Sequence, residues 1–184
     1  VFSAYPDMAI GSSVMMGVRL TENCNYPVLA RRPSDFWARW HMTLTAWFRD
    51  YVYQSLGGTR RQRKLRTIGV IFASMGLMGL WHGAEWHFLG FGVISAAVLV
   101  AYLALRLWKH GHRLLGDGPG ATLLAVAIGN VVIFTIMIFF RASDMTLAWK
   151  VLSGIFVNGS GWNSNFNITL GTLAIAWAAH VIRG

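Results

Sequence analysis

Ala121-Thr122-Leu123-Leu124-Ala125-Val126-Ala127-Ile128-Gly129-Asn130-Val131-Val132-Ile133-Phe134-Thr135-Ile136-Met137-Ile138-Phe139-Phe140 is a run of twenty residues without a charged side chain. As a helix it is long enough to cross the ~30 Å hydrocarbon core of a bilayer. Outward from it, Thr67–Leu80 and Phe88–Trp108 are also apolar, and a last apolar run covers Ile168–Ile182. The 184 residues are 55% hydrophobic and 12% charged. A soluble domain carries about 25% charged residues. The reading is an all-α, polytopic transmembrane helical protein, with amphipathic helices at the interface or around an internal chamber. A soluble all-α domain is the alternative, disfavoured by the length of the uncharged run.

The net charge of +9 raises the question of nucleic acid. The basic residues, however, stand beside apolar runs: Arg60, Arg61, Arg63, Lys64 and Arg66 before one, Lys109 and Arg113 after another. That placement follows the positive-inside rule and not a phosphate-tracking stripe. No nucleic-acid partner is expected. Both basic groups then lie in the cytoplasm, so the chain between them must enter the membrane and return. Cys24 is the only cysteine and carries no redox or metal signal. The chain opens on Val1-Phe2-Ser3, without the marks of a signal peptide, and stops in an apolar run. We expect one membrane domain over residues 1–184, part of a longer protein and cut at both ends.

Gly79-Leu80-Trp81-His82-Gly83-Ala84-Glu85-Trp86 sets an imidazole, two indoles and a carboxylate between two of the apolar runs. Polar side chains are expensive in hydrocarbon, so His82 is a functional candidate; a hydrogen-bonded core histidine is the other reading. If the helix continued through Gly83, Glu85 would share the face of His82. Gly69, Ala73, Gly76, Leu80 and Gly83 form a mostly small stripe on the opposite side, of the kind that lets membrane helices approach closely.

Earlier in the chain, Tyr5–Gly11 leads a Met-rich run ending at Arg19, too short to span, read as a buried or half-length helix with Asp7 at its start. Thr21–Pro33 is a polar loop. Ser34 is the expected N-cap of a helix running to Leu56, where Gly57-Gly58 stops it. Helical periodicity puts Trp37, Trp40, His41, Leu44, Phe48 and Tyr51 on one face of it. Thr59–Arg66 is a basic loop, His110-Gly111-His112 a solvated tract and Leu115–Gly120 a turn. Asn130 is expected to hydrogen-bond between helices. Met145–Val157 is a short interfacial helix, and Gly159–Asn167 a loop.

His82, Glu85 and His87 spell H-x-x-E-x-H, but a helical zinc site needs its two histidines four apart. These are five apart, so no metal is expected. Neither a nucleophile elbow nor a paired Cys/His is present. The remaining template is a histidine that takes the proton of an acceptor hydroxyl as it attacks a thioester. Burial favours the neutral imidazole which that step requires. A closed site also keeps water from the donor.

Asp35-Phe36-Trp37-Ala38-Arg39-Trp40-His41-Met42-Thr43-Leu44-Thr45-Ala46-Trp47-Phe48-Arg49-Asp50-Tyr51-Val52-Tyr53, then Leu56-Gly57-Gly58, then Gly79-Leu80-Trp81-His82-Gly83-Ala84, resemble the membrane-bound O-acyltransferases (MBOAT). Within that family the resemblance is to the bacterial branch that serves alginate O-acetylation. Tyr5–Gly11, Arg19–Tyr26 and Phe140-Arg141-Ala142 fit the same branch. The resemblance implies a multi-helix fold enclosing a channel, of which this chain is the C-terminal portion. By motif, His82 matches the family's catalytic histidine and His41 a second histidine of the branch. Trp37, Trp40, Trp81 and Gly83 are placed along the substrate channel, with Arg49 and Asp50 holding the chamber helix. The resemblance further implies cytoplasmic acetyl-CoA as acyl donor, the bacterial inner membrane as location and an exported polysaccharide as acceptor. It also implies a periplasmic acetyltransferase partner and the polysaccharide synthesis machinery. Departures at Ala38, Gln54-Ser55 and Ile94-Ser95 bear on which polymer is modified. Peptidoglycan O-acetylation and D-alanyl transfer to teichoic acid share these motifs. A polysaccharide or lipid transporter, with His82, Glu85 and Asn130 along a conduit, and a non-catalytic scaffold are the alternatives of other classes.

Overall fold

The computed structural model describes residues 4–58, 64–108 and 118–155, and every regular element among them is helical. In order these are α1 (Ala4–Met15), a 3-10 turn (Pro27–Leu29), α2 (Pro33–Arg39), α3 (Met42–Trp47), a π-helical segment (Phe48–Tyr53), α4 (Lys64–His82), α5 (Trp86–Trp108), α6 (Pro119–Arg141) and α7 (Met145–Ser153). Residues 59–63, the His110-His112 tract with Lys109 and Arg113, the loop at 159–167 and the run at 168–182 lie outside the described residues.

Among the described residues three helices are long and apolar enough to cross a membrane: α4 with 19 residues, α5 with 23 and α6 with 23. They coincide with the three apolar runs expected inside the described residues. Exposed Val93, Leu103, Leu123, Leu124, Ile128, Val131 and Phe134 give α5 and α6 outward faces suited to lipid. Their inner faces share a core in which Phe91, Ala96, Ile133, Ile136 and Phe139 meet Phe36, Trp37 and Phe48 from α2 and the π segment. Asp144 caps α7 by accepting from the Leu147 N–H at 2.8 Å, and Ala148 beneath it is fully buried.

α4 and α5 form an antiparallel hairpin turned by residues 83–85. The close approach predicted for α4 exists at Gly76 of the expected stripe, joined by Gly79, which was not part of it. A methyl group added to Gly79 would press on the Phe88 carbonyl, and one on Gly92 would meet the carbonyl of Met75. Gly69, Ala73 and Leu80 of the expected stripe point outward. The contact is set by what α5 presents, a second glycine, which the α4 sequence alone does not specify.

The helix expected from Ser34 to Leu56 is broken. It divides at Trp40–His41 and changes to π geometry at Phe48, ending at Gly57 (φ +87°) where the double glycine was expected to stop it. Ser34 is not the N-cap; Arg32 is, with Pro33 in the first turn. His41 sits at φ +47°, in the left-handed region that costs an L-residue ~1–2 kcal/mol. Polar groups of the preceding loop hold the break. Asn25 N–H donates to the Arg39 carbonyl at 2.9 Å, and Met42 N–H to the Asn23 carbonyl at 2.8 Å. These bonds replace helical ones that the periodicity had implied.

Two smaller corrections follow. The half-length helix α1 is exposed, with Met15 at 90%, and not buried. Asn130 does not bridge two spans: its amide donates to the Val28 carbonyl at 2.8 Å and to Val126 of its own helix at 2.9 Å, tying the loop to α6.

Candidate active site

α4 ends at His82 because Gly83-Ala84 lets the chain turn, and Glu85 then opens α5, its carbonyl accepting from the N–H groups of Phe88 and Leu89 at 3.2 Å each. A Cβ on Gly83 would stand 2.5 Å from the Phe88 ring, so the glycine makes room for that ring beside His82. The helix therefore does not continue to Glu85. Glu85 turns away from His82 and pairs with His87, Oε2 to Nδ1 at 3.3 Å. His87 is buried and packs on Phe88 at 4.1 Å. Among the described residues no three His, Cys, Asp or Glu side chains converge as metal ligands.

The His82 ring is half-buried in an aromatic box. Trp81 lies at 4.8 Å between centroids, Phe140 of α6 at 4.8 Å and perpendicular, and Phe88 and Phe91 of α5 at 6.3 Å each. Phe140 also touches Phe91 at 5.1 Å and Phe88 at 5.6 Å, so the three rings support one another. Among the described residues neither nitrogen of His82 has a hydrogen-bond partner. A polar ring held by apolar walls with both nitrogens unclaimed is open to a substrate hydroxyl.

His41 reaches the same place from the α2–α3 break. Its ring meets Trp81 edge-to-face at 6.2 Å, so that one indole lies against both imidazoles. Asn23 Nδ2 is 3.1 Å from His41 Nδ1, while Asn23 Oδ1 accepts from Thr43 N–H at 3.1 Å and Thr43 Oγ1 at 2.8 Å.

Of the candidates named from sequence, the structure thus gathers His41, Trp81, His82 and Gly83. Trp37 is buried elsewhere, against Phe36 at 5.2 Å and Phe91 at 6.0 Å, and Trp40 stacks on Phe36 at 5.7 Å. Trp37 holds α2 against α5, while the Trp40 stack braces the end of α2 itself. Arg49 and Asp50 are exposed on the π segment and pair with each other at 2.7 Å. The hydrogen bond from Arg49 holds the Asp50 carboxyl below the usual range, and the carboxylate in turn raises the Arg49 guanidinium. Phe88, Phe91, Phe140 and Asn23 were missed as site residues. Phe88 and Phe91 read as ordinary span residues without a local signal; Phe140 and Asn23 stood in stretches that fit the family branch, but nothing there gave either a role at the site. Of Ile94-Ser95, one of the departures, Ser95 is buried in α5, where its Oγ donates to the Phe91 carbonyl at 2.7 Å, and Ile94 is half-buried.

A separate cavity of about 780 Å³ lies between the 3-10 turn with α2, α5 and α6, with Arg31, Arg32, Tyr102 and Asn130 on its walls. Neither histidine lines it.

Comparison with known proteins places this geometry in context. The sequence profile of the MBOAT, membrane-bound O-acyltransferase family, matches residues 1–113. The chain is 34% identical over 189 residues to the probable alginate O-acetylase AlgI of Azotobacter vinelandii, covering 100% of this chain and 36% of that protein. It is 34% identical over 154 residues to the peptidoglycan O-acetyltransferase of Helicobacter pylori, covering 84% and 28%. To the teichoic acid D-alanyltransferase of Bacillus subtilis it is 33% identical over 134 residues, covering 69% and 34%. The chain spans roughly a third of the length of these relatives.

Proposed function

This chain belongs to the membrane-bound O-acyltransferase family, and from that membership we propose that it carries the catalytic histidine of an enzyme that acetylates an exported polysaccharide. The acyl donor is a cytoplasmic thioester, acetyl-CoA, and the acceptor a sugar hydroxyl of an alginate-like polymer. The enzyme sits in the bacterial inner membrane and works with a periplasmic acetyltransferase and the polymer's synthesis machinery.

One observation carries this reading: an imidazole without a hydrogen-bond partner among the described residues, walled by Trp81, Phe88, Phe91 and Phe140, at the end of a membrane-length helix. Neutral His82 accepts the hydroxyl proton as the hydroxyl oxygen bonds to the thioester carbonyl carbon. The tetrahedral intermediate then collapses, the C–S bond breaks, and the thiolate takes the proton back from His82. General-base help of this kind contributes ~10²–10⁴-fold. Phe88, Phe91 and Phe140 shield one side of His82 from water, which would otherwise hydrolyse the donor. Buried Trp37, packed on Phe91, keeps α2, and through it His41, in register with α5.

The test is transfer of labelled acetyl groups from acetyl-CoA in membranes holding the full-length protein. His82→Ala and His82→Gln insert normally and lower transfer by ~10²–10⁴-fold. Wild-type acetyl content in the polymer made by His82→Ala cells would sink the assignment. Relatives named for teichoic acid and peptidoglycan make the acceptor and donor an explicit second arm. Competing unlabelled D-alanyl carrier protein against labelled acetyl-CoA, and assaying both polymers, separates the three. A transporter instead predicts that His82→Ala changes polymer flux and leaves its acetylation intact.

A further inference from the structure

We infer that Asn23 is a positioning residue which fixes the tautomer of His41, leaving His41 Nε2–H as a hydrogen-bond donor to the substrate carbonyl; this rests on the acyl-transfer reading above. The orientation of the Asn23 amide follows from its partners. Thr43 N–H can only donate, so the Asn23 atom 3.1 Å from it is the carbonyl oxygen, and Thr43 Oγ1 reaches the same oxygen at 2.8 Å. The other arm of the amide, a donor only, then faces His41 Nδ1 at 3.1 Å. A donor opposite Nδ1 requires a lone pair there, and the neutral ring carries its proton on Nε2. Among the described residues nothing else bonds to the His41 ring.

The surroundings hold this arrangement firmly. The same asparagine accepts from Met42 N–H through its backbone carbonyl at 2.8 Å, so it grips the chain on the C-terminal side of His41 by backbone and side chain together. His41 itself sits at φ +47°, a strained position for a non-glycine residue, and persists because these bonds specify it. A histidine strained into place and locked into one tautomer is built to present one nitrogen in one state.

Two imidazoles against one indole then divide the chemistry. His82, with both nitrogens unclaimed, takes the hydroxyl proton. His41 has no free lone pair once Nδ1 is bonded to Asn23, so it donates Nε2–H to the thioester carbonyl oxygen, where negative charge grows as the C–O bond forms. That oxygen returns to a carbonyl when the C–S bond breaks, and His41 ends the cycle with the proton it began with.

Asn23→Asp is the discriminating change. Its carboxylate keeps an oxygen for Thr43 but turns the second arm into an acceptor, which draws a proton onto Nδ1 and leaves a lone pair on Nε2. Nitrogen NMR of the full-length protein with labelled histidines, His41 being assigned by its loss in His41→Gln, reads the tautomer directly. The wild type shows Nε2–H and Asn23→Asp shows Nδ1–H. Removing one donor to a developing oxyanion costs ~10²–10³-fold in turnover. The expected result is that loss in kcat for Asn23→Asp, with KM changed by less than about threefold and an unchanged melting midpoint. An Nδ1–H tautomer in the wild type overturns the proposal whatever the activity. So does wild-type kcat in an Asn23→Asp protein shown to carry Nδ1–H. A loss of kcat that merely tracks a fall in melting midpoint, in Asn23→Asp and Asn23→Ala alike, overturns it in favour of a structural pin. If the wild type transfers no acyl group at all, the acyl-transfer reading fails while the tautomer measurement still stands.

Discussion

Replacing Gly79 by alanine tests whether the α4–α5 contact positions His82. The added methyl would lie 3.1 Å from the Phe88 carbonyl carbon and 3.2 Å from Gly92 N, and closer still to the Phe88 oxygen. Gly92→Ala meets the same limit from the other side, 2.9 Å from the Met75 carbonyl carbon and 3.0 Å from Gly76 Cα. Carbon atoms prefer ~3.5–4.0 Å, so the helices must part by about 0.5–1 Å, a gap that forfeits a quarter to a half of each pair's ~0.1–0.2 kcal/mol. Over the forty to sixty atom pairs that surround a typical buried side chain, the loss comes to about 1–6 kcal/mol, with mid-range values giving ~3 kcal/mol. Because the obstacle is backbone, no side-chain rotation relieves it. Helix propensity returns up to ~1 kcal/mol for any Gly→Ala change. Gly69→Ala, with nothing within 4 Å of the new methyl, gains that return without the clash and serves as control. The measurement is reversible unfolding of the full-length protein in mixed micelles. Gly79→Ala should lie ~3 kcal/mol below Gly69→Ala, and the Gly79→Ala/Gly92→Ala double variant should fall short of additivity, since the first change already opens the seam. Equal stability of Gly79→Ala and Gly69→Ala would refute the close approach. Acyl transfer should fall with Gly79→Ala because His82 stands one turn further along the same helix.

Phe140→Leu keeps nearly the same volume and should cost less than about 1.5 kcal/mol in stability, yet it removes the ring perpendicular to His82; transfer from labelled acetyl-CoA should drop while competing donor hydrolysis rises. Asn130→Leu removes donors to Val28 and Val126 and should destabilise by ~0.6–1.7 kcal/mol, the range of hydrogen bonds inside membrane proteins, in the same unfolding assay. Glu85→Gln should leave acyl transfer unchanged, since that carboxylate is exposed and directed at His87; a large loss would put Glu85 in the mechanism. At Asp144 the Leu147 N–H lowers the carboxyl from its ordinary value. The cap is therefore fully present above about pH 4 and is lost as acid carries the carboxyl through its lowered value. Asp144→Asn, which still accepts that bond and does not titrate, should flatten the acid-side loss of α7 protection in hydrogen exchange.

The three membrane-length helices of the described residues, the stop at Gly57 and the Trp81-His82-Gly83 motif as a candidate site were all readable from the chain. Each depends on a local property: an unbroken apolar run, a residue free to adopt positive φ, a motif carried on consecutive residues. The partners of those features were not readable. Phe140 reaches His82 only because α6 packs on the α4–α5 hairpin, and nothing in an apolar span marks which phenylalanine will face an imidazole. Of the stripe read from the sequence only Gly76 lies in the seam, with Gly79 and Gly92, while Gly69, Ala73 and Leu80 face outward, because a helix face acquires meaning from the helix opposite. The break at His41 shows the same limit. Periodicity favours one continuous helix through Trp37, Trp40 and His41, but Asn23 and Asn25 bind the backbone on either side of the histidine and hold it open. Hydrogen bonds from Asn23 and Asn25, the Asn23–Thr43 bond reaching across twenty residues, outweigh a local preference of a few tenths of a kcal/mol per residue, and no pattern within the helix records them.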